Sequence, residues 1–148
     1  MTFKYDVLIK TEDDDKDQEI HFSKDEESDD TIQGVEFLFN SDDNSRDRDK
    51  NARVELRITG RFNDNPDTLK ALVRLGKWSL KKTGVYRTVQ ITAETDEDSN
   101  QNFIRTYKFD KMFCLDYKES IEAEGLTFEV FLAQHPQHST CDIDGQVI

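Results

Sequence analysis

The sequence predicts a mainly β protein: an antiparallel barrel or two packed sheets of about eight or nine strands, with one α-helix near residues 66–82. Three observations carry this expectation. Apolar residues recur at every second position through most of the chain, most cleanly where Val54, Leu56 and Ile58 alternate with Glu55, Arg57 and Thr59. One segment alone changes to helical spacing, after Asn65-Pro66-Asp67. The apolar segments are short, separated by acidic or turn-forming runs, and show no βαβ alternation.

Taken in order, Phe3, Tyr5, Val7 and Ile9 share one face of a first strand, and Ile20 and Phe22 suggest a short partner after the Asp13-Asp14-Asp15 loop. Val35, Phe37 and Phe39 alternate next. Gly60 interrupts the fourth strand between Ile58 and Phe62, where it predicts a bend or bulge. Asn65 then supplies a helix cap, Pro66 the first helical position and Asp67 an acid in the first turn. Leu69, Leu72, Val73, Gly76 and Leu80 follow helical spacing, and Leu75 and Trp78 widen the stripe. Gly76 on that stripe predicts close backbone contact with a strand. Lys77, Lys81 and Lys82 suit the carboxyl end of the helix dipole, and Gly84 can end it. Val85, Val89, Ile91 and Ala93 resume the strand rhythm. Asp96–Asn102 forms a polar hairpin tip, from which Phe103, Tyr107 and Phe109 return. Strands at Met112–Tyr117, at Leu126–Leu132 and near Cys141–Ile143 complete the reading.

The 148 residues suit a single domain, able to bury about two-thirds of its unfolded surface. Twenty basic against 32 acidic residues give a formal charge of −12. Such a surface repels phosphate backbones, so no nucleic-acid partner is expected. The acids concentrate in residues 12–17, 25–30, 41–49 and 96–98, between regular apolar segments, which reads as solvated loops on an ordered core. Two cysteines, Cys114 and Cys141, are too few for a secreted disulfide scaffold and read as reduced structural thiols. No apolar run approaches the roughly 20 residues that span a bilayer, so no membrane partner is expected. The first residues, Met1-Thr2-Phe3-Lys4-Tyr5-Asp6, lack a signal-peptide apolar region. Synthesis in the cytoplasm without Sec-type export follows, which is compatible with later release inside an assembled particle.

Catalytic and metal motifs fail on spacing. An EF-hand frame begun at Asp42 has Arg46 at its fifth position, Asp47 where glycine belongs and Arg53 at its twelfth; one begun at Asp96 has Gln101 and Tyr107 at the sixth and twelfth. His135, His138 and Cys141 are spaced like zinc ligands but lack a fourth, and Pro136 suits a surface turn. His21 sits within a strand and reads as structural. There is no nucleophile elbow, phosphate-binding loop or dinucleotide glycine pattern, so no enzyme and no cofactor is expected.

The order of elements carries a resemblance. The helix Asp67–Leu80 is followed by the strand Val85–Thr92, then by Ile104–Tyr117 and Leu126–Leu132. Within these, a charged run ends in Tyr107-Lys108-Phe109 and leads to Phe113-Cys114-Leu115-Asp116-Tyr117. From about residue 50 onward the chain resembles the tube proteins of contractile injection systems, namely the Hcp-like proteins of type VI secretion and related phage tail tube proteins. It looks most similar to the Hcp-like group of Firmicutes. The resemblance implies a structural β-barrel with a flanking helix, whose six copies form a ring and whose rings stack into a tube. Its implied partners are further copies of itself, with sheath, baseplate or effector proteins beyond them.

Two surfaces follow as expectations. The polar face of Arg53, Glu55, Arg57, Thr59 and Arg61 would line a water-filled lumen. The tip Asp96, Glu97, Asp98, Ser99, Asn100, Gln101 and Asn102 would meet the next ring. The contrasting expectation is a monomeric β-sandwich binding or adaptor module, which the same alternation also describes.

Overall fold

A computed structural model describes residues 3–23, 31–40, 53–62, 64–81, 85–95, 101–135 and 140–147. The acidic runs at 25–30, 41–49 and 96–98, most of the EF-hand frame begun at Asp42, the first five positions of the one begun at Asp96, Lys82 and Gly84 lie outside the described residues. Eight strands and one helix follow in order: β1 (Phe3–Thr11), β2 (Ile20–Phe22), β3 (Ile32–Asn40), β4 (Arg53–Arg61), α1 (Pro66–Ser79), β5 (Arg87–Thr95), β6 (Phe103–Glu122), β7 (Gly125–Gln134) and β8 (Cys141–Val147). This is the expected mainly β architecture with one helix. Every pairing is antiparallel.

The strands form one sheet in the order β2-β1-β5-β6-β7-β4-β3, with β8 added to β6. Among the described residues no ladder joins β2 to β3, so the barrel is open. The sheet curls until strands distant in the ladder meet across its interior. Phe37 of β3 stacks on Tyr107 of β6 with ring centroids 3.9 Å apart, and Phe22 of β2 on Phe128 of β7 at 5.6 Å. The two expected layers are thus opposite walls of one curled sheet. The alternation read from the sequence fills the space between them: Val7, Ile9, Leu56, Ile58, Val89, Ile91, Phe109, Val130 and Leu132 are all buried.

β6 joins what the sequence suggests as two strands. Lys111, at φ 54°, accompanies one register shift, and a second shift falls between Cys114 and Asp116, which leaves Leu115 as an extra residue. The first shift restores Met112 to the core after Phe109. The second follows the exposed Leu115 and returns Tyr117 to the core side.

At α1 the cap forms as the sequence predicts, with the Asn65 side chain accepting from the Asp67 amide at 2.8 Å. The apolar stripe divides, however. Ala71, Leu72, Leu75 and Trp78 are buried, whereas Leu69, Val73 and Leu80 are exposed. Trp78 donates its indole N–H to the Val85 carbonyl at 2.7 Å, and the Arg87 guanidinium lies 5.2 Å from its ring centroid.

The two glycines differ from expectation in instructive ways. A Cβ on Gly76 would sit 3.8 Å from the Tyr117 ring, an ordinary contact with a side chain and not a close backbone approach. A Cβ on Gly60 would sit 2.2 Å from the Thr31 carbonyl oxygen and 2.6 Å from the Phe128 ring. The bulge predicted at Gly60 lies on its partner strand, where the register shifts between Ile32 and Gly34.

Candidate functional site

The sheet face opposite the core is built by the same alternation that buries Val54, Leu56 and Ile58. On β4, Glu55, Arg57 and Thr59 are half-buried and Arg61 is exposed, while Arg53 enters only through its backbone pairing with Asn40. Arg57 is the hub. It stands opposite Glu36 of β3 and Phe131 of β7. Its Nε donates to Glu129 at 2.9 Å, its Nη1 lies 3.6 Å from Glu36, and its guanidinium lies 6.0 Å from the Phe131 centroid. The hydrogen bond from Arg57, and secondarily its charge with that of Lys118, holds the Glu129 carboxyl below its ordinary range.

Across the strands this face is more apolar than the β4 residues alone predict. Leu38 of β3 and the bulged Leu115 of β6 are about half exposed, at 53% and 50%. With Phe131 they line a shallow depression of about 140 Å³ beside Glu36, Glu55 and Arg57. Leu38 was legible as an outward position opposite Phe37 and Phe39. Leu115 was not, because the register shift at Lys111 reverses the phase that Phe103, Tyr107 and Phe109 set.

Sheet edges frame this face. β3 pairs only with β4, and β8 pairs only with β6, so each leaves one side of its backbone ladder open among the described residues. All seven residues of β8 are exposed. Rows of unpaired N–H and C=O groups can extend a sheet into another chain.

Of the tip 96–102, only Gln101 and Asn102 are among the described residues. The base beneath them is fixed: Thr95 Oγ1 accepts from the Phe103 amide at 2.8 Å and donates to Asn102 Oδ1 at 3.4 Å. A second hairpin stands where sequence reading placed only a connection. β6 and β7 stay paired out to Glu122 and Gly125, joined by Ala123-Glu124. Gly125 takes φ 148°, which glycine adopts without strain. Residues 118–125 are exposed, including Ile121 at 75%. The signal available was the absence of any breaker between Tyr117 and Glu124.

Among the described residues, no group of three His, Cys, Asp or Glu could hold a metal ion. His135 packs edge-on against Tyr86 at 5.4 Å, the Cys141 thiol donates to Gln134 at 3.1 Å, and His138 lies outside the described residues. His21 Nε2 sits 3.0 Å from Asp6, joining the neighbouring strands β1 and β2. Both cysteines are free, and burial pushes the Cys114 thiol up to about 11, away from nucleophilic use. No described helix is long and apolar enough to cross a membrane.

No family model and no curated protein matches the sequence. Solved structures do match the fold along nearly the whole chain. A double mutant of Hcp1 from E. coli EAEC 042 superposes with a TM-score of 0.57 at 10% identity, covering 98% of each chain. The secreted protein Hcp3 from Pseudomonas aeruginosa gives 0.54 at 14% identity, covering 97% of each. A type VI secretion system effector from Yersinia pestis gives 0.50 at 12% identity, covering 97% of this chain and 98% of its own. These likenesses single out no subgroup of the fold, and they include the first fifty residues, which carry no motif. An open antiparallel barrel with one flanking helix, matched from end to end, gives this chain the Hcp fold.

Proposed function

We propose that this chain is a non-catalytic ring subunit of a tube, in a contractile injection system or a phage-tail-like particle, assembling as hexameric rings that stack. The observation that carries the reading is the end-to-end Hcp fold. The open ladders of β3 and β8 suit it, since a ring needs a heterologous contact between two different edges. The face bearing Glu55, Arg57, Thr59 and Arg61, continued by Arg53, would then turn toward the lumen. The tip Asp96–Asn102 would meet the next ring. Sheath, baseplate or effector proteins would be its further partners, and export would follow assembly.

Sedimentation tests this directly. A hexamer of a 17.3 kDa chain has a mass of 6 × 17.3 ≈ 104 kDa. That species should grow with protein concentration. Leu38→Pro removes one N–H from β3, whereas Leu38→Asp keeps the backbone intact. Loss of rings in the proline variant alone, with circular dichroism unchanged in both, assigns closure to backbone pairing. Shortening the 96–102 tip should spare rings and weaken stacks, most visibly at low salt, where the tip's charges are least screened. A chain that stays at 17.3 kDa at every concentration favours the monomeric binding module.

A further inference from the structure

The helix carries a second face that the core does not use. Leu69, Val73 and Leu80 lie on one stripe and are 51%, 48% and 81% exposed. With the 3-10 turn at Lys16–Gln18, Leu69 and Val73 of this stripe wall a groove of about 580 Å³, large enough for several side chains. Four basic residues of the helix and its end, Lys70, Arg74, Lys77 and Lys81, line the groove, and Arg87 contributes from β5. None of the five forms an ion pair among the described residues. Arg74 donates to the backbone carbonyls of Glu19 and Lys16, Lys81 donates to the Gln18 side-chain oxygen at 2.9 Å, and Lys70 and Lys77 are exposed. Arg87 is buried, stacks over the Trp78 ring, donates hydrogen bonds to Gln18 through Nη1 and Nη2, and leaves Nε without an acceptor. Among the described residues lining the groove, Asp17 is the one acid. In a chain of charge −12, five cations around an apolar groove lined by one acid, with the charge of Asp15 acting on Arg87 alone, form an acceptor for an acidic, apolar segment.

The chain displays such a segment. At the β6–β7 hairpin tip Ile121 is 75% exposed and flanked by the exposed Glu119, Glu122 and Glu124. The acidic runs at 25–30 and 41–49 supply carboxylates but no apolar side chain. We propose that the hairpin tip of one copy docks in the helix groove of a second, with Ile121 against Leu69 and Val73 and with Glu122 and Glu124 facing Lys70 and Lys77. Groove and tip are different surfaces, so the contact is heterologous and propagates from copy to copy. It deepens the tube reading and rests on it for its place in a particle, although the pairwise contact needs no ring.

Charge reversal in the full chain tests it, alongside titration of a cyclised synthetic peptide of residues 117–128. The peptide should bind the wild-type chain, about tenfold more weakly to Lys70→Glu/Lys77→Glu, and regain affinity for that variant when it carries Glu122→Lys/Glu124→Lys. In sedimentation, each reversal alone should reduce self-association, and both reversals in one chain should restore it. The changed residues are exposed, so circular dichroism should stay constant. Self-association indifferent to both reversals, or no rescue by the combination, overturns the proposal. Rings near 104 kDa that persist in both single reversals overturn it and leave the tube reading standing. Peptide binding that follows the charge pattern, in a chain that never forms rings, supports the contact and removes the tube reading instead. Peptide binding unchanged by Lys70→Glu/Lys77→Glu, or wild-type chain bound equally by acidic lipid vesicles, also overturns the proposal.

Discussion

The two halves of β6 are one strand under two regimes. From Phe103 to Met112 it has neighbours on both sides, β5 on one and β8 on the other, and Phe109 and Met112 have no exposed surface. From Phe113 to Glu122 it pairs with β7 alone, and beyond Tyr117 every residue is exposed. The change falls at the two register shifts, which re-aim the strand as it leaves the barrel. The first half therefore carries stability. The second presents surface, held by its ladder to β7.

That contrast can be broken by substitution, beginning with the largest effect. Phe109→Ala empties the centre of the Phe37–Tyr107–Phe109 cluster and should lower unfolding free energy by about 3–5 kcal/mol in urea titration. A loss below 1 kcal/mol would mean that the aromatic cluster is not the mechanical centre of the barrel. Leu72→Ala, beneath the helix, should cost about 2–5 kcal/mol; an unchanged denaturation midpoint would detach α1 from the core. Gly60→Ala should cost about 1–3 kcal/mol or more, since its methyl meets backbone at Thr31 and the ring of Phe128 opposite Glu119. Gly76→Ala should act in the opposite direction and raise stability by about 1 kcal/mol in the same titration, because the helix gains propensity and the Tyr117 ring leaves room. Ile121→Ser, in the projecting half, should leave stability within about 0.5 kcal/mol while reducing self-association in sedimentation. A stability loss like that of Phe109→Ala would erase the contrast.

Legibility in the sequence divided along the same line. Wherever one face is buried and the other wet, alternation alone placed the residues: Val54, Leu56 and Ile58 inside, Glu55, Arg57 and Thr59 outside. The cap at Asn65 was legible because its chemistry is local. What escaped depended on distant neighbours. The split of the helix stripe into a buried and an exposed face is decided by where the sheet lies, not by helical spacing. The continuity of β6 is hidden by two bulges that break the phase of the alternation. The separate roles of Gly60 and Gly76 require knowing that Thr31 crosses one and that the Tyr117 ring only touches the other. At the candidate assembly surfaces, the β4 residues were legible as an outward face, but their apolar neighbour Leu115 and the hairpin tip at Ile121 were not.

The anchoring of Trp78 also has an optical consequence. It is the only tryptophan in the chain, it is 1% exposed, and it joins the buried face of α1 to Val85 and Arg87. Its emission should be that of an indole shielded from water, and it should redden when the helix lifts away. Fluorescence followed beside far-ultraviolet circular dichroism therefore times two events in one melt: departure of the helix from the barrel, and collapse of the strands themselves.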